Sequence, residues 1–167
     1  SSFTYQSQPQ RVAFGAGSLA RLPEELQQLG VRRALVLCTP HQREQAQQVA
    51  DLVGGAQVVG LFDQAKMHVP VEVARAACEL AQQTRADCTI AVGGGSTIGL
   101  GKAIALDRGL PVIAVPTTYA GSEMTPIYGI TEAGPGLHTS ALMELGLILF
   151  LITTVVLMAS RLMLLRM

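Results

Sequence analysis

Three scarcities narrow the reading before any motif is considered. Charge is the first: Lys plus Arg and Asp plus Glu each number 12 in 167 residues, the net charge is zero, and no basic block stands anywhere. A nucleic-acid surface needs clustered cations against phosphate, so the composition argues against one. Cysteine is the second. Cys38, Cys78 and Cys88 are odd in number and lack C-x-x-C spacing, which reads as buried or free thiols in a reducing compartment, not a disulfide frame. Histidine is the third. His41, His68 and His138 are scattered without ligand spacing, so they build no metal set. His41 falls in the first turn of an expected helix and His68 in a loop, and both read as solvated. The N-terminal Ser-Ser-Phe-Thr-Tyr-Gln also carries neither a charged n-region nor an apolar h-region, so no signal peptide is read there.

Two familiar phosphate motifs are missing as well. A P-loop needs Gly, four residues, then Gly-Lys-Ser/Thr. Counting back from Gly101-Lys102 finds Ser96 where the first glycine belongs, and Ala103 replaces the magnesium-binding hydroxyl. ATP or GTP hydrolysis is thereby disfavoured. The G-x-G-x-x-G fingerprint fails too, because Gly93-x-Gly95 is followed by Ile98 where the third glycine is required.

What the chain does have is the stretch Ala91-Val-Gly-Gly-Gly-Ser-Thr-Ile-Gly-Leu-Gly-Lys-Ala-Ile-Ala105. The apolar run Thr89 to Val92 reads as a buried parallel strand. It stops in three glycines, and a helix with Ser96 as its cap is expected at once. Strand, glycine turn and helix start together make a phosphate cradle, because missing side chains let backbone N–H groups approach an anion and the helix N-terminus adds partial positive charge. Lys102 adds a full charge if it reaches back. The plain alternative is a tight turn with no ligand.

The remaining pattern is α/β. Residues 4 to 14 read as extended, with Pro9 marking an edge or irregular strand. Leu19, Leu22, Leu26 and Leu29 repeat at helical spacing, Pro23 permits a fresh start within them, and Gly30 ends the segment. Ala34 to Cys38 reads as a strand, and Thr39-Pro-His-Gln42 as a helix start with a capping box. Ala46, Val49, Ala50 and Val53 form the buried face of that helix before Gly54-Gly55. Residues 57 to 62 form the next strand, Pro70 opens a helix with Val73, Ala77, Leu80 and Ala81 on one face, and Val112 to Val115 is a further strand. A loop dense in hydroxyls, Pro116-Thr-Thr-Tyr-Ala-Gly-Ser-Glu123, follows it, and residues 127 to 131 read as a short strand. Strands alternating with helices predict a Rossmann-like parallel sheet with helices on both faces. Ligands of such sheets bind at the C-terminal strand edge, so the glycine turn and the hydroxyl loop should open on one crevice.

Gly93 to Ala105, taken with Pro116-Thr-Thr-Tyr-Ala-Gly-Ser-Glu-Met-Thr-Pro-Ile-Tyr-Gly-Ile-Thr-Glu132, resembles the iron-containing alcohol dehydrogenase superfamily, and more closely its maleylacetate reductase branch. The resemblance runs from about Tyr5 to Glu132. It implies an N-terminal dinucleotide-binding domain, an all-helical second domain, and an active-site cleft between them. The implied reaction is reduction of maleylacetate to 3-oxoadipate by NADH or NADPH in the breakdown of aromatic compounds, by a homodimer. Gly94, Gly95 and Ser96 match the family's pyrophosphate turn. Thr117 and Thr118 match its second cofactor loop, with Tyr119 and Ser122 nearby, and Lys102 matches its lysine. Gly99 stands where the wider superfamily carries Asp. Thr39-Pro40 stands in place of the acidic residue expected on a ribose 2′-hydroxyl, which leaves NADH and NADPH both open. The superfamily's metal ligands and catalytic histidines lie in the helical domain, which this chain is expected to lack, so no catalytic or metal-binding residue is assigned.

The end of the chain reads differently. Domain boundaries are expected at residues 1–134 for the dinucleotide domain, 135–140 for a linker, and 141–167 for a hydrophobic helix. Between Ala141 and Ser160 the one charge is Glu144, and about twenty apolar residues are enough to cross a bilayer core. The segment reads as a transmembrane helix and weakly resembles the last membrane helix of phosphate-transporter permeases. Arg161 and Arg166 follow the span, and no Lys or Arg lies between Arg108 and Arg161, so the positive-inside rule sets the C-terminus in the cytoplasm and the domain outside. A nicotinamide-binding domain needs the cytoplasm. The conflict favours a truncated or fused product, inactive alone; the alternative is a non-catalytic nucleotide-binding module anchored to a membrane.

Overall fold

The computed structural model describes residues 10–55, 57–131 and Phe150. Residues 1–131 form one compact unit. A 3₁₀ turn, Ser18–Arg21, leads into α1 (Leu22–Leu29). Three strand–helix units and a fourth strand follow: β1 (Ala34–Leu37), α2 (Arg43–Val53), β2 (Val58–Phe62), α3 (Val71–Gln83), β3 (Cys88–Gly93), α4 (Gly95–Arg108) and β4 (Val112–Pro116). All four strands pair in parallel in the order β2-β1-β3-β4. This is the Rossmann-like parallel sheet expected.

The side chains of the strands alternate between two cores, as the two-residue period of a strand requires. On one face, Ala34, Val36, Cys38, Cys88, Ile90 and Val92 pack against Leu22 and Leu26 of α1 and Ala46, Val49, Ala50 and Val53 of α2. On the other, Leu35, Leu37 and Phe62 pack against Ala74, Ala77 and Ala81 of α3 and Leu100, Ala103 and Ile104 of α4. The buried stripe of α3 is thus built on alanines, with Val73 and Leu80 only partly buried at its flanks. Small side chains suit the crowded side of the sheet, where α3 and α4 lie together. Gly101 tightens the same packing: a methyl there would stand 3.1 Å from Val112 Cγ1.

Three expectations change. Residues 10–14 carry no strand, and residues 1–9 lie outside the described residues. The leucine repeat of residues 19–29 is divided, with Leu22 and Leu26 buried but Leu19 and Leu29 exposed. The 3₁₀ turn advances three residues per turn and throws Leu19 out of phase with α1. The strand expected at 127–131 reduces to a single bridge between Thr131 and Pro70. Thr131 N–H donates to Val69 O and Val71 N–H donates to Thr131 O, both at 3.1 Å, but Pro70 itself has no N–H with which to extend a ladder. Among the described residues no helix is long and apolar enough to cross a membrane. The linker 135–140 and the tail helix expected at 141–167 lie outside the described residues, Phe150 excepted.

The thiols sit where the cysteine pattern implied. Burial pushes Cys38 up to about 11 and Cys88 up to about 12, with Asp63 and Asp87 respectively adding to the effect. Cys78 is raised by burial first and Asp107 second. A thiol whose ionisation is raised in the folded state stabilises it below the unfolded value and loses that contribution as pH rises. Stability is therefore expected to fall as pH climbs from 9.0 toward about 11 and 12. At neutral pH a thiol reagent should reach Cys38 and Cys88 only after denaturation, which a mass-resolved labelling time course would check.

Candidate functional site

The sheet order creates a switch point. From β1 the chain turns one way, through α2 to β2. From β3 it turns the other way, through α4 to β4. Helices α2 and α4 therefore lie on opposite faces, and the loops leaving β1 and β3 diverge at the C-terminal strand edge. Such a divergence leaves the crevice in which open α/β sheets bind ligands.

The glycine turn lies at this edge, and its three glycines have different reasons to be there. Gly93 has φ 155°, and a methyl on it would stand 2.5 Å from Thr97 Oγ1 and 2.7 Å from Gln42 Oε1. Gly94 would press a methyl 2.7 Å from Thr118 Oγ1. The fold itself demands Gly93, through its positive φ and the buried Thr97, whereas at Gly94 the hydroxyl of the exposed Thr118 could rotate aside. At Gly95 a methyl would meet only Ala120 and Ser122 Cβ at 3.7 and 3.8 Å, which is ordinary contact. No neighbour among the described residues requires Gly95 to be glycine.

Helix α4 starts earlier than the serine cap implied. Gly94 is the N-cap, with φ −88° and ψ −162°, and its carbonyl accepts from Thr97 N–H and Ile98 N–H, each at 3.1 Å. Ser96 is then already inside the first turn and caps nothing. An extended glycine can hold the cap with its backbone alone, so the helix begins before the first hydroxyl. The N–H groups of Gly95 and Ser96 precede the first intrahelical hydrogen bond, as is general at helix starts. Gly95 and Ser96 line a cavity of about 430 Å³, together with Gly99, Ser122, His68 and Tyr128 among others.

The hydroxyl loop joins the glycine turn directly. Thr117 N–H donates to Gly93 O at 3.1 Å, and Thr118 Oγ1 lies over Gly94. Ser122 lines the cavity, whereas Tyr119 is 99% exposed and does not. The Lys102 side chain reaches Ser122, whose Cβ would stand 3.8 Å from a methyl on Gly95. Its ammonium donates to Ser122 O, to Ser122 Oγ at 3.2 Å and to Ile127 O at 2.8 Å, fastening the segment after β4 onto α4. Burial pushes this ammonium below the ordinary lysine range, with Glu123 opposing the shift.

Two contributors carried no sequence signal as site residues. Gln42, read as part of a capping box, instead spans the crevice: its Nε2 donates to Thr117 Oγ1 at 2.7 Å while its Oε1 accepts from Thr39 Oγ1 at 3.0 Å. Pro40 has no N–H to be capped, and α2 does not start until Arg43. His68, read as solvated, is exposed and also lines the cavity from a strained corner, with φ 61° there and 42° at Val69. A positive φ at a β-branched residue is costly. Val69 is held there by burial, by its hydrogen bond from Thr131, and by packing over Gly99, whose added methyl would stand 3.3 Å from Val69 Cγ2. The space beside Gly99 is thus taken by Val69.

The profile of the iron-containing alcohol dehydrogenases matches residues 9–145. The chain belongs to that family. The match runs past Gly134, where the resemblance was expected to fade. Maleylacetate reductase of Burkholderia cepacia is 54% identical over 133 residues, covering 80% of this chain and 38% of that protein. The Pseudomonas knackmussii enzyme of the same name is 56% identical over the same length and shares. Among solved structures, maleylacetate reductase from Agrobacterium tumefaciens superposes with a TM-score of 0.75 at 50% identity, covering 80% of this chain and 38% of that one. The chain thus spans less than two fifths of these relatives. Although the family is named for iron, no three His, Cys, Asp or Glu side chains among the described residues gather into a metal-binding group.

Proposed function

We propose that this domain is the cofactor-binding part of a maleylacetate reductase, an oxidoreductase using NADH or NADPH. The observation that carries the reading is Gly95. It is a glycine at a helix start, facing a cavity, with room around it that its own fold leaves open. A pyrophosphate approaching the Gly95 and Ser96 N–H groups accounts for that room. Thr117, Thr118 and Ser122 supply hydroxyls along the same edge, and Lys102 acts by fixing the Ser122 segment. The names of the relatives supply the substrate of the reading, maleylacetate.

When bound, the nicotinamide supplies hydride to the vinylic C=C of maleylacetate, giving 3-oxoadipate once a proton is added. The residues of this chain bind and orient; they are assigned no chemical step. The reading also makes the protein a homodimer, puts the domain in the cytoplasm where its cofactor is, and bounds it at about residue 134. Titrating purified chain with NADH and following nicotinamide fluorescence should show saturable binding. Maleylacetate-dependent NADH oxidation by the same preparation should be at or near background. Absence of binding would defeat the cofactor assignment, and full turnover would defeat the division of labour. The apolar run 145–160 favours a second reading, a non-catalytic nucleotide-binding module held on a membrane. Retention in the pellet after a carbonate wash, together with NADH binding, would favour it.

A further inference from the structure

We propose that Gln42 is a positioning residue that tunes the crevice to a ribose 2′-hydroxyl, so that the domain takes NADH in preference to NADPH. The inference rests on the cofactor reading above and deepens it.

The argument is a proton count. A threonine hydroxyl has one proton to give and lone pairs to accept with. Thr39 spends its proton on Gln42 Oε1 at 3.0 Å. Only its lone pairs remain for a ligand, so Thr39 is left as an acceptor. Gln42 Nε2 donates to Thr117 Oγ1 at 2.7 Å. Thr117 therefore keeps its proton and remains a donor, suited to a phosphate oxygen. One amide thus sets two hydroxyls in opposite senses, on either side of the glycine turn. Gln42 is held over that turn, since its Oε1 lies where a side chain on Gly93 would be.

Position gives the two hydroxyls their meaning. In dinucleotide folds the ribose hydroxyl is read at the end of the strand beside the glycine-turn strand. Here that neighbour is β1, which pairs with β3 through Leu37 and Ala91, and Thr39 lies just beyond its end. A 2′-hydroxyl can donate to the waiting lone pairs of Thr39. A 2′-phosphate offers mainly acceptor oxygens and negative charge, so it meets lone pair with lone pair. The nearest guanidinium in sequence is Arg43, whose Nη1 is drawn to Asp63 Oδ2 at 2.5 Å, so Asp63 competes with a 2′-phosphate for it.

The test is the ratio of NADPH to NADH dissociation constants, measured on the whole chain by nicotinamide fluorescence, with thermal melts as a folding control. The wild-type chain should bind NADH about tenfold more tightly, the upper end of what one neutral hydrogen bond gained or lost contributes. Gln42→Met keeps the length but frees both hydroxyls, and the ratio should shrink by at least about threefold. Asp63→Asn releases Arg43 and should tighten NADPH by at least about threefold. It is the independent arm should Gln42→Met not fold. Equal wild-type affinities, or a ratio unmoved in Gln42→Met, would overturn the inference while leaving the cofactor reading intact. Binding of neither nucleotide would overturn both. A merely structural Gln42 would weaken the two nucleotides alike and leave their ratio unchanged.

Discussion

Replacing Gly95 with valine is expected to weaken NADH binding at least tenfold, about 1.4 kcal/mol, while the domain stays folded. Space for a first side-chain atom already exists, since the nearest neighbours would be Ala120 Cβ at 3.7 Å and Ser122 Cβ at 3.8 Å. Gly95 is the first residue of α4, where a side chain costs the helix little and removes some freedom of the unfolded chain. The fold therefore has small reason to object. The ligand has a large one. Binding at a helix start needs the anion within hydrogen-bond reach of the N–H groups, and a branched side chain on the first residue holds it off. Fluorescence titration with NADH, paired with a urea melt, separates the two effects. Unchanged affinity in a folded variant would move the cradle elsewhere; Gly95→Ala, with a smaller intrusion, should fall between.

How much of this was legible beforehand depended on whether a feature is local in sequence. The strands are short apolar runs, and the α2 face of Ala46, Val49, Ala50 and Val53 is a plain helical period, so the parallel sheet could be read directly. So could the meeting of the glycine turn and the hydroxyl loop, because it follows from topology alone. What escaped was set by tertiary geometry. The hydroxyl partner of Gln42 lies 75 residues away, and a glutamine three residues after a threonine looks like a cap whatever lies across the crevice. The left-handed corner at His68 and Val69 goes against the preference of the residues that form it and exists because Thr131 and Gly99 receive it. Lys102 reads as a phosphate ligand in a motif, and its bonds to Ser122 and Ile127, 20 and 25 residues away, carry no local signal. The start of α4 was misread by assuming that a side chain must cap it, when Gly94 does so with its backbone.

Gly93→Ala should fail in the opposite manner, by loss of the fold. The residue adopts φ 155°, a conformation open to glycine and strained for any L side chain. A methyl there would also meet Thr97 Oγ1 at 2.5 Å, Gln42 Oε1 at 2.7 Å and Thr97 Cβ at 2.9 Å. Gln42 could swing aside by giving up its bonds to Thr39 and Thr117. Thr97 cannot, because it is fully buried in the first turn of α4. Backbone strain and overpacking together are expected to cost about 3 kcal/mol or more, a large share of the roughly 5–15 kcal/mol that holds an ordinary domain together. Urea denaturation should show the midpoint falling steeply, with NADH binding lost only in proportion to the unfolded fraction. Gly93→Ala with wild-type stability but no NADH binding would mean that this glycine also serves the ligand directly, and that the division between a glycine kept for the fold and one kept for the cofactor does not hold.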